Sequence, residues 1–401
     1  MNFRRYLFAA FFFATVMSVL AVQTPTLPSE ISDKEFWRLI VDLSEPGGSY
    51  PYENFVSNEL QVQDVIPALK TITKPGGIYI GVGPEQNFTY VSALKSKLAF
   101  VVDIRRQNML ELLMYKALFE LSPDRATFVG NLFSRARPSG LDIRTSADAL
   151  FAAYEKAKVD PAFYTKNLQA IKASLARHGF QLSSEDLGKI EYVFQVFSKG
   201  GPGITYEFSS ASPSSLVNPT SYARIMTTTD PSGKNSSFLA NEDSYQYVRE
   251  MQRKNLIVPL VGDFAGPAVI RNIGRYLKER SATVSVFYIS NVETYLDESQ
   301  KQAFYKNVAA LPVDSSSMFI RFILGNPAPR LALVEAGNEQ RQHPRANERS
   351  DSLRAIRAVP EFPGNRSRDK RPSRTGRTFP IRAEDYRTVS PFAFRNASTS
   401  L

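Results

Sequence analysis

The chain has 401 residues, a formal net charge of +10, no cysteine, and histidine only at positions 178 and 343. Without cysteine there can be no disulfide, no thiolate nucleophile and no thiolate metal ligand, and two histidines argue against a zinc centre, so no metal is expected. The charge is concentrated at one end: Ala336 to Leu401 carries 14 Lys plus Arg against 7 Asp plus Glu, leaving only +3 for residues 1 to 335.

At the start, Arg4 and Arg5 precede an apolar run from Leu7 to Leu20, and Val19-Leu20-Ala21 suits signal peptidase. The run is short for a spanning helix. Residues 1–21 therefore read as a secretory signal or, uncleaved, a single N-terminal anchor. The expected location is exported or membrane-anchored, and cytoplasmic if the signal is not used; membrane contact is expected only through residues 1–21. Ser32-Asp33-Lys34-Glu35 then resembles a capping box opening a helix through Phe36, Trp37, Leu39 and Ile40. Residues 43–60, LSEPGGSYPYENFVSNEL, fit either a loop folded over a pocket or a plain surface connection.

Residues 77–103 are the stretch around which the rest of the chain is organised. Ile78, Tyr79 and Ile80 read as a strand, Gly81 and Gly83 as a tight turn, and Phe88, Val91 and Leu94 as one face of a helix. Glycines there let backbone approach a ligand, and the free NH groups of the helix start offer hydrogen bonds. Leu98 to Val102 is a second strand, closed by Asp103 where a ribose-binding carboxylate is expected, about 20 residues after the glycines. Gln86 stands where a dinucleotide fingerprint wants its third glycine, which argues against nicotinamide and flavin dinucleotides.

Arg105 and Arg106 precede a helix with Met109, Leu112, Leu113 and Ala117 on one face, ending near Ser122-Pro123. Residues 130–255 interrupt the strand-helix rhythm with at least three helical patterns: Ala149 to Ala157, a segment holding Leu168, Ile171 and Leu175, and one holding Ile190, Val193, Phe194 and Phe197. They read as an inserted helical subdomain. The rhythm resumes with a strand from Leu256 to Val261 ending in Gly262-Asp263, a helix marked by Val269, Ile273, Tyr276 and Leu277, and a strand from Thr283 to Ile289 ending in Ser290-Asn291-Val292-Glu293. A helix with Phe304, Val308 and Leu311 leads to a last strand, Met318 to Leu324. The fold class is α/β, a mostly parallel sheet with helices on both faces and a helical insertion. In such sheets ligands bind beyond the carboxyl ends of the strands. That edge gathers the turn from Gly81 through Glu85 and Gln86 to Asn87, with Asp103, Arg105, Gly262, Asp263, Ser290, Asn291 and Glu293.

The order GVG, VVD, VGDF, YISN resembles the class I S-adenosylmethionine-dependent methyltransferases, whose fold is Rossmann-like. More narrowly, EPGG and VSNE together with IGVGPEQNFTY, DIRRQN and SNVETYL look like a family of bacterial proteins with that fold. The resemblance covers residues 32–129 and 256–326. It implies S-adenosylmethionine as cofactor, with Gly81 and Gly83 along its methionine end, Asp103 on the ribose hydroxyls, Asp263 facing adenine, and Asn291 and Glu293 bordering methyl group and acceptor. Glu293 is the candidate base. Two positions depart from the pattern: Tyr79 replaces the usual strand-one acid, and Glu85 replaces the third glycine. Because S-adenosylmethionine is made in the cytoplasm, export conflicts with methyl transfer, and a second class stands beside the first: an exported, non-catalytic ligand-binding or interaction protein on a degenerate methyltransferase scaffold. The methyl acceptor is not legible. Residues 336–401, with 13 Arg to 1 Lys, read as a disordered tail; their interspersed acids argue against a nucleic-acid partner.

Overall fold

In the parallel strands the apolar runs are almost continuous, which suits strands covered on both faces. The computed structural model describes residues 26–206, 220–322, 329–334 and 356–358. Five strands run parallel: β1 (Ile78–Val82), β2 (Leu98–Asp103), β3 (Ile257–Val261), β4 (Val284–Ser290) and β5 (Met318–Arg321). Two more, β6 (Arg330–Val334) and β7 (Ile356–Ala358), extend the sheet antiparallel, giving the order β3-β2-β1-β4-β5-β6-β7. Every residue of β2 and β3 is buried. Pro259, which has no NH to donate, sits within β3, and β3 is an edge strand, where a proline is tolerated.

The sheet is thus Rossmann-like, α/β and mostly parallel, as the alternation of patterns predicts. The five-strand count falls short by two. β6, as long as β1, lies beyond the last predicted strand, and β7 is a three-residue edge piece inside the predicted tail, too brief for any periodicity to register. The rest of the tail, like the predicted signal at residues 1–21, lies outside the described residues. No described helix is long and apolar enough to cross a membrane.

Helix α1 (Asp33–Leu43) is capped by Ser32, whose side chain accepts from the NH of Glu35, and α2 is Ile66–Ile72. α3 (Gln86–Leu94) follows β1 and α4 (Arg106–Leu121) follows β2. α4 is buried from Asn108 to Phe119 because the sheet packs on one side and helices on the other. Those helices come from residues 125–253: α5 (Arg125–Phe133), α6 (Ala147–Lys156), α7 (Pro161–Arg177), α8 (Ser184–Gly200), α9 (Tyr222–Thr227) and α10 (Glu242–Arg253). The three helical patterns read from sequence are α6, α7 and α8. Their apolar side chains join the same continuous core as the strands. Aromatic rings join the layers: Phe119 stacks on Phe128 at 4.5 Å and on Tyr245 at 5.5 Å, and Phe88 meets Phe238 at 5.4 Å. Each such pair adds about 0.5–1.5 kcal/mol beyond its buried area. α11 (Val269–Lys278) and α12 (Glu298–Ala309) complete the fold.

Candidate functional site

A cavity of about 340 Å³ opens at the carboxyl ends of the parallel strands. Its walls are Gly83 and Gln86 after β1, Asp103 and Ile104 at the end of β2, Asp263 and Phe264 after β3, and Ser290 and Asn291 at the end of β4. The loop carrying Tyr50, Asn54, Ser57 and Glu59 closes it. Of the two readings of residues 43–60, the pocket-covering one holds.

The glycine turn is built by packing as much as by conformation. A Cβ on Gly81 would stand 1.9 Å from Asn87 Oδ1 and 2.7 Å from the Tyr79 ring. Gly81 therefore makes room for the hydrogen bond from Tyr79 OH to Asn87 Oδ1, 2.8 Å long. Asn87 Nδ2 in turn donates to the carbonyls of Val82, Gly83 and Pro84. Gly83 has φ +79° and lines the cavity. Glu85 is fully buried behind the turn, its Oε1 accepting from the NH of Ser57 at 3.2 Å, and burial pushes its carboxyl up to about 8. Gly81, Glu85 and Asn87 shape the turn, and none of them lines the cavity.

Asp103 lines the cavity while its Oδ1 accepts from Arg105 N at 2.9 Å and Nε at 3.3 Å. Burial raises its carboxyl pKa and Arg105 opposes the rise. The Arg105 guanidinium also donates to the carbonyls of Tyr52 and Glu53, so it braces the covering loop and does not line the cavity. Gly262 does not line it either: a Cβ there would meet the Val269 side chain at 2.5 Å. The EPGG segment is sewn to the strand ends. Glu45 N donates to Val261 O, Gly48 N donates to Ile104 O, and the Glu45 carboxylate accepts from the NH groups of Asp263 and Ala268.

Glu59 is the residue that sequence reasoning missed. Its carboxyl is buried and accepts from Tyr288 OH and Ser290 Oγ. Gln86 Nε2 donates to Tyr288 OH and to Val82 O, both at 3.2 Å, so a relay runs from the glycine turn through Tyr288 to Glu59. Burial pushes the Glu59 carboxyl up to about 7 against the lowering effect of Ser290 and Tyr288. Ser290 itself is in the left-handed region, φ 53°, beside a register shift between β4 and β5. Non-glycine residues held this way cost about 1–3 kcal/mol and cluster at functional sites. Tyr50, Tyr206 and Tyr295 form another wall, with Tyr50 and Tyr295 at 5.3 Å and the Tyr50 and Tyr206 hydroxyls 3.2 Å apart.

Glu293 is turned away from the cavity. Its Oε2 accepts from Arg321 Nε at 2.6 Å and its Oε1 from Tyr305 OH at 2.7 Å, because Val292–Tyr295 coils into a 3-10 turn after β4. Asn291 does line the cavity. His178 ends α7, as a capping residue would, but its ring also bridges Asp33 at 2.9 Å and Glu120 at 2.8 Å.

The residues lining the cavity include three carboxyl groups, Glu59, Asp103 and Asp263, and no Lys, Arg or His. Arg105, behind the wall, offsets the charge of Asp103, while Glu59 and Asp263 have no cation among the lining residues; such an acceptor-rich lining favours ligands rich in hydrogen-bond donors and disfavours polyphosphates. Among the described residues no group of three or more His, Asp or Glu side chains is placed to hold a metal ion.

No curated protein matches the chain. The family model described as Domain of unknown function (DUF7790) matches residues 54–347, a span that takes in the glycine turn, Glu59, Asp103, Asp263 and Asn291. With most of its length inside that match, the chain belongs to the DUF7790 family.

Proposed function

We propose that the chain binds S-adenosylmethionine in this cavity and is a methyltransferase-like protein. The observation that carries the reading is the acid-lined, cation-free cavity at the carboxyl edge of a parallel sheet. S-adenosylmethionine brings a sulfonium, an ammonium, two ribose hydroxyls and an exocyclic amine, all of which suit acceptors. Asp103 would take the ribose hydroxyls, since a carboxylate accepts two such bonds, and Asp263 the adenine amine. Ile104 and Phe264 supply apolar surface beside them. Gly83 gives backbone access at the turn. The bound cofactor supplies an electrophilic methyl group; the protein's part in a transfer would be alignment and exclusion of water.

A second reading, ligand binding without catalysis, is favoured by Glu293. The predicted base is held by Arg321 and Tyr305 and is not among the residues lining the cavity. Calorimetric titration of the full chain with S-adenosylhomocysteine and, separately, with ADP tests the binding reading. Saturable heat from the first and none from the second is expected; heat from ADP alone would refute it. Incubation with methyl-labelled S-adenosylmethionine and a cell extract separates the two readings: label transferred above the level of the extract alone, and lost with Asp103→Ala, would exclude the non-catalytic one.

A further inference from the structure

Asp103 and Asp263 are both used by the proposed reading, which leaves a third acidic group without a task. Glu59 sits where the glycine turn meets the end of β4, and the hydroxyls beside it on the cavity wall, Tyr288 OH and Ser290 Oγ, already donate to it. Gln86 is 3% exposed, and its Oε1 has no hydrogen-bond partner. The orientation of that amide is fixed. Its Nε2 donates to Val82 O and Tyr288 OH, and reversing it would set two oxygens against each other at Val82. Tyr288 spends its proton on Glu59, as does Ser290. A carboxylate oxygen that accepts one bond keeps a second lone pair. Glu59 and Gln86 both line the cavity and are joined through Tyr288 OH, so this corner holds a carboxylate and a buried, unpartnered amide oxygen and has no donor left over among Gln86 Nε2, Tyr288 OH and Ser290 Oγ. Such a corner lacks a group with several protons on one positively charged atom.

We propose that Glu59 and Gln86 Oε1 form a binding site for a primary ammonium group, with Glu59 as its counter-charge. An ammonium carries three donors and no acceptor, so it satisfies both oxygens and leaves one proton for the ligand's own surroundings. Neutral hydroxyl ligands bring one donor and leave an oxygen unserved, which makes them poorer occupants. The ammonium has two sources, the amino-acid end of the cofactor or a separate amine that accepts the methyl group. Naming the first source rests on the S-adenosylmethionine reading; the ammonium site itself does not.

The test uses matched ligand pairs on the full chain, by calorimetry at about pH 8, above the value of the Glu59 carboxyl: S-adenosylhomocysteine against its analogue with hydrogen in place of the amino group, and tyramine against 4-ethylphenol. Each pair is titrated into wild type, Glu59→Gln and Glu59→Asp. In at least one pair the amine should bind wild type at least tenfold more tightly than its amine-free partner. Glu59→Gln should erase that preference and Glu59→Asp, which keeps the charge, should retain part of it. A preference confined to the first pair assigns the ammonium to the cofactor, and one confined to tyramine assigns it to an acceptor. If tyramine shows the preference while neither adenosyl ligand binds, the S-adenosylmethionine reading falls and the ammonium site stands. Equal binding within both pairs, or no binding in either, overturns the site, as does a preference that survives Glu59→Gln. The wild-type pairs read out even if a variant does not fold.

Discussion

The carboxylate of Glu45 holds the turn that carries Asp263: Oε1 accepts the Asp263 NH at 3.0 Å and Oε2 the Ala268 NH at 2.7 Å. Gly266 is required beneath it, since a Cβ there would lie 2.0 Å from Glu45 Oε1. The candidate adenine-facing acid is therefore positioned by a side chain 218 residues earlier in the chain. Glu45→Ala leaves two backbone NH groups without partners and is expected to cost about 1–3 kcal/mol of stability. Urea unfolding checks this, and an unchanged midpoint would show that the clamp is dispensable.

Gly81→Ala is expected to destabilise more than a glycine-to-alanine change in an open turn. The new methyl group meets Asn87 Oδ1 and the Tyr79 ring, both buried, and the Asn87 bonds to three carbonyls shift with it. Overpacking of this kind costs about 1–3 kcal/mol. Thermal unfolding with calorimetric enthalpy checks it. The companion change Gly203→Ala, with open space around it and, like Gly81, no positive φ, gives the cost of the substitution without overpacking.

Glu59 and Glu85 set a pH dependence of stability. Both carboxyls are buried and hold protons more tightly in the folded chain, with values near 7 and 8 against an ordinary 4.5. Between those limits the native state binds more protons than the unfolded state. Their contribution is therefore full below 4.5, declines as pH rises and is lost above 8, with a slope of at most about 1.4 kcal/mol per pH unit for each group. Glu59→Gln and Glu85→Gln each remove part of that slope. Unfolding free energies compared at about pH 5 and pH 8 would show wild type losing ground to both variants; parallel curves would contradict the assignment.

His178 works in the same direction through a different contact. The hydrogen bond to Glu120 is the main influence raising its imidazole above 6.5, with Asp33 adding to it. The stabilisation is thus present below 6.5 and lost as pH rises through the elevated folded value. His178→Gln is expected to destabilise by about 1–2 kcal/mol near pH 6 and by less near pH 9, the half-exposed Asp33 contributing the smaller share. Equal effects at the two pH values would mean that the ring acts only by packing.

The β1-α3-β2 unit was legible because a period near 3.6 follows a glycine turn and an acid closes the next strand. Asp263, Ser290 and Asn291 were legible for a related reason: they end strands whose β-branched and aromatic runs stand out. Glu59 was not, because it lies on an irregular loop and its partners, Tyr288 and Ser290, are 229 and 231 residues away. Gly81 shows the opposite failure. Sequence logic gives it to the cofactor, while contact with Asn87 gives it to the turn. Glu293 sits two residues beyond Asn291, and one 3-10 turn is enough to take its carboxylate to Arg321. Such choices are made by neighbours distant in sequence, and no local pattern records them.

In the proposed function, Asp103 and its cavity would bind S-adenosylmethionine. Equilibrium dialysis of the full chain against the labelled cofactor, with wild type and Asp103→Ala side by side, tests it most directly. Saturable one-to-one retention by wild type is expected, with affinity lower by about 1–3 kcal/mol in the variant, the scale for a polar group left unpaired in a site. Absence of retention by folded wild type, or equal retention by Asp103→Ala, would contradict it.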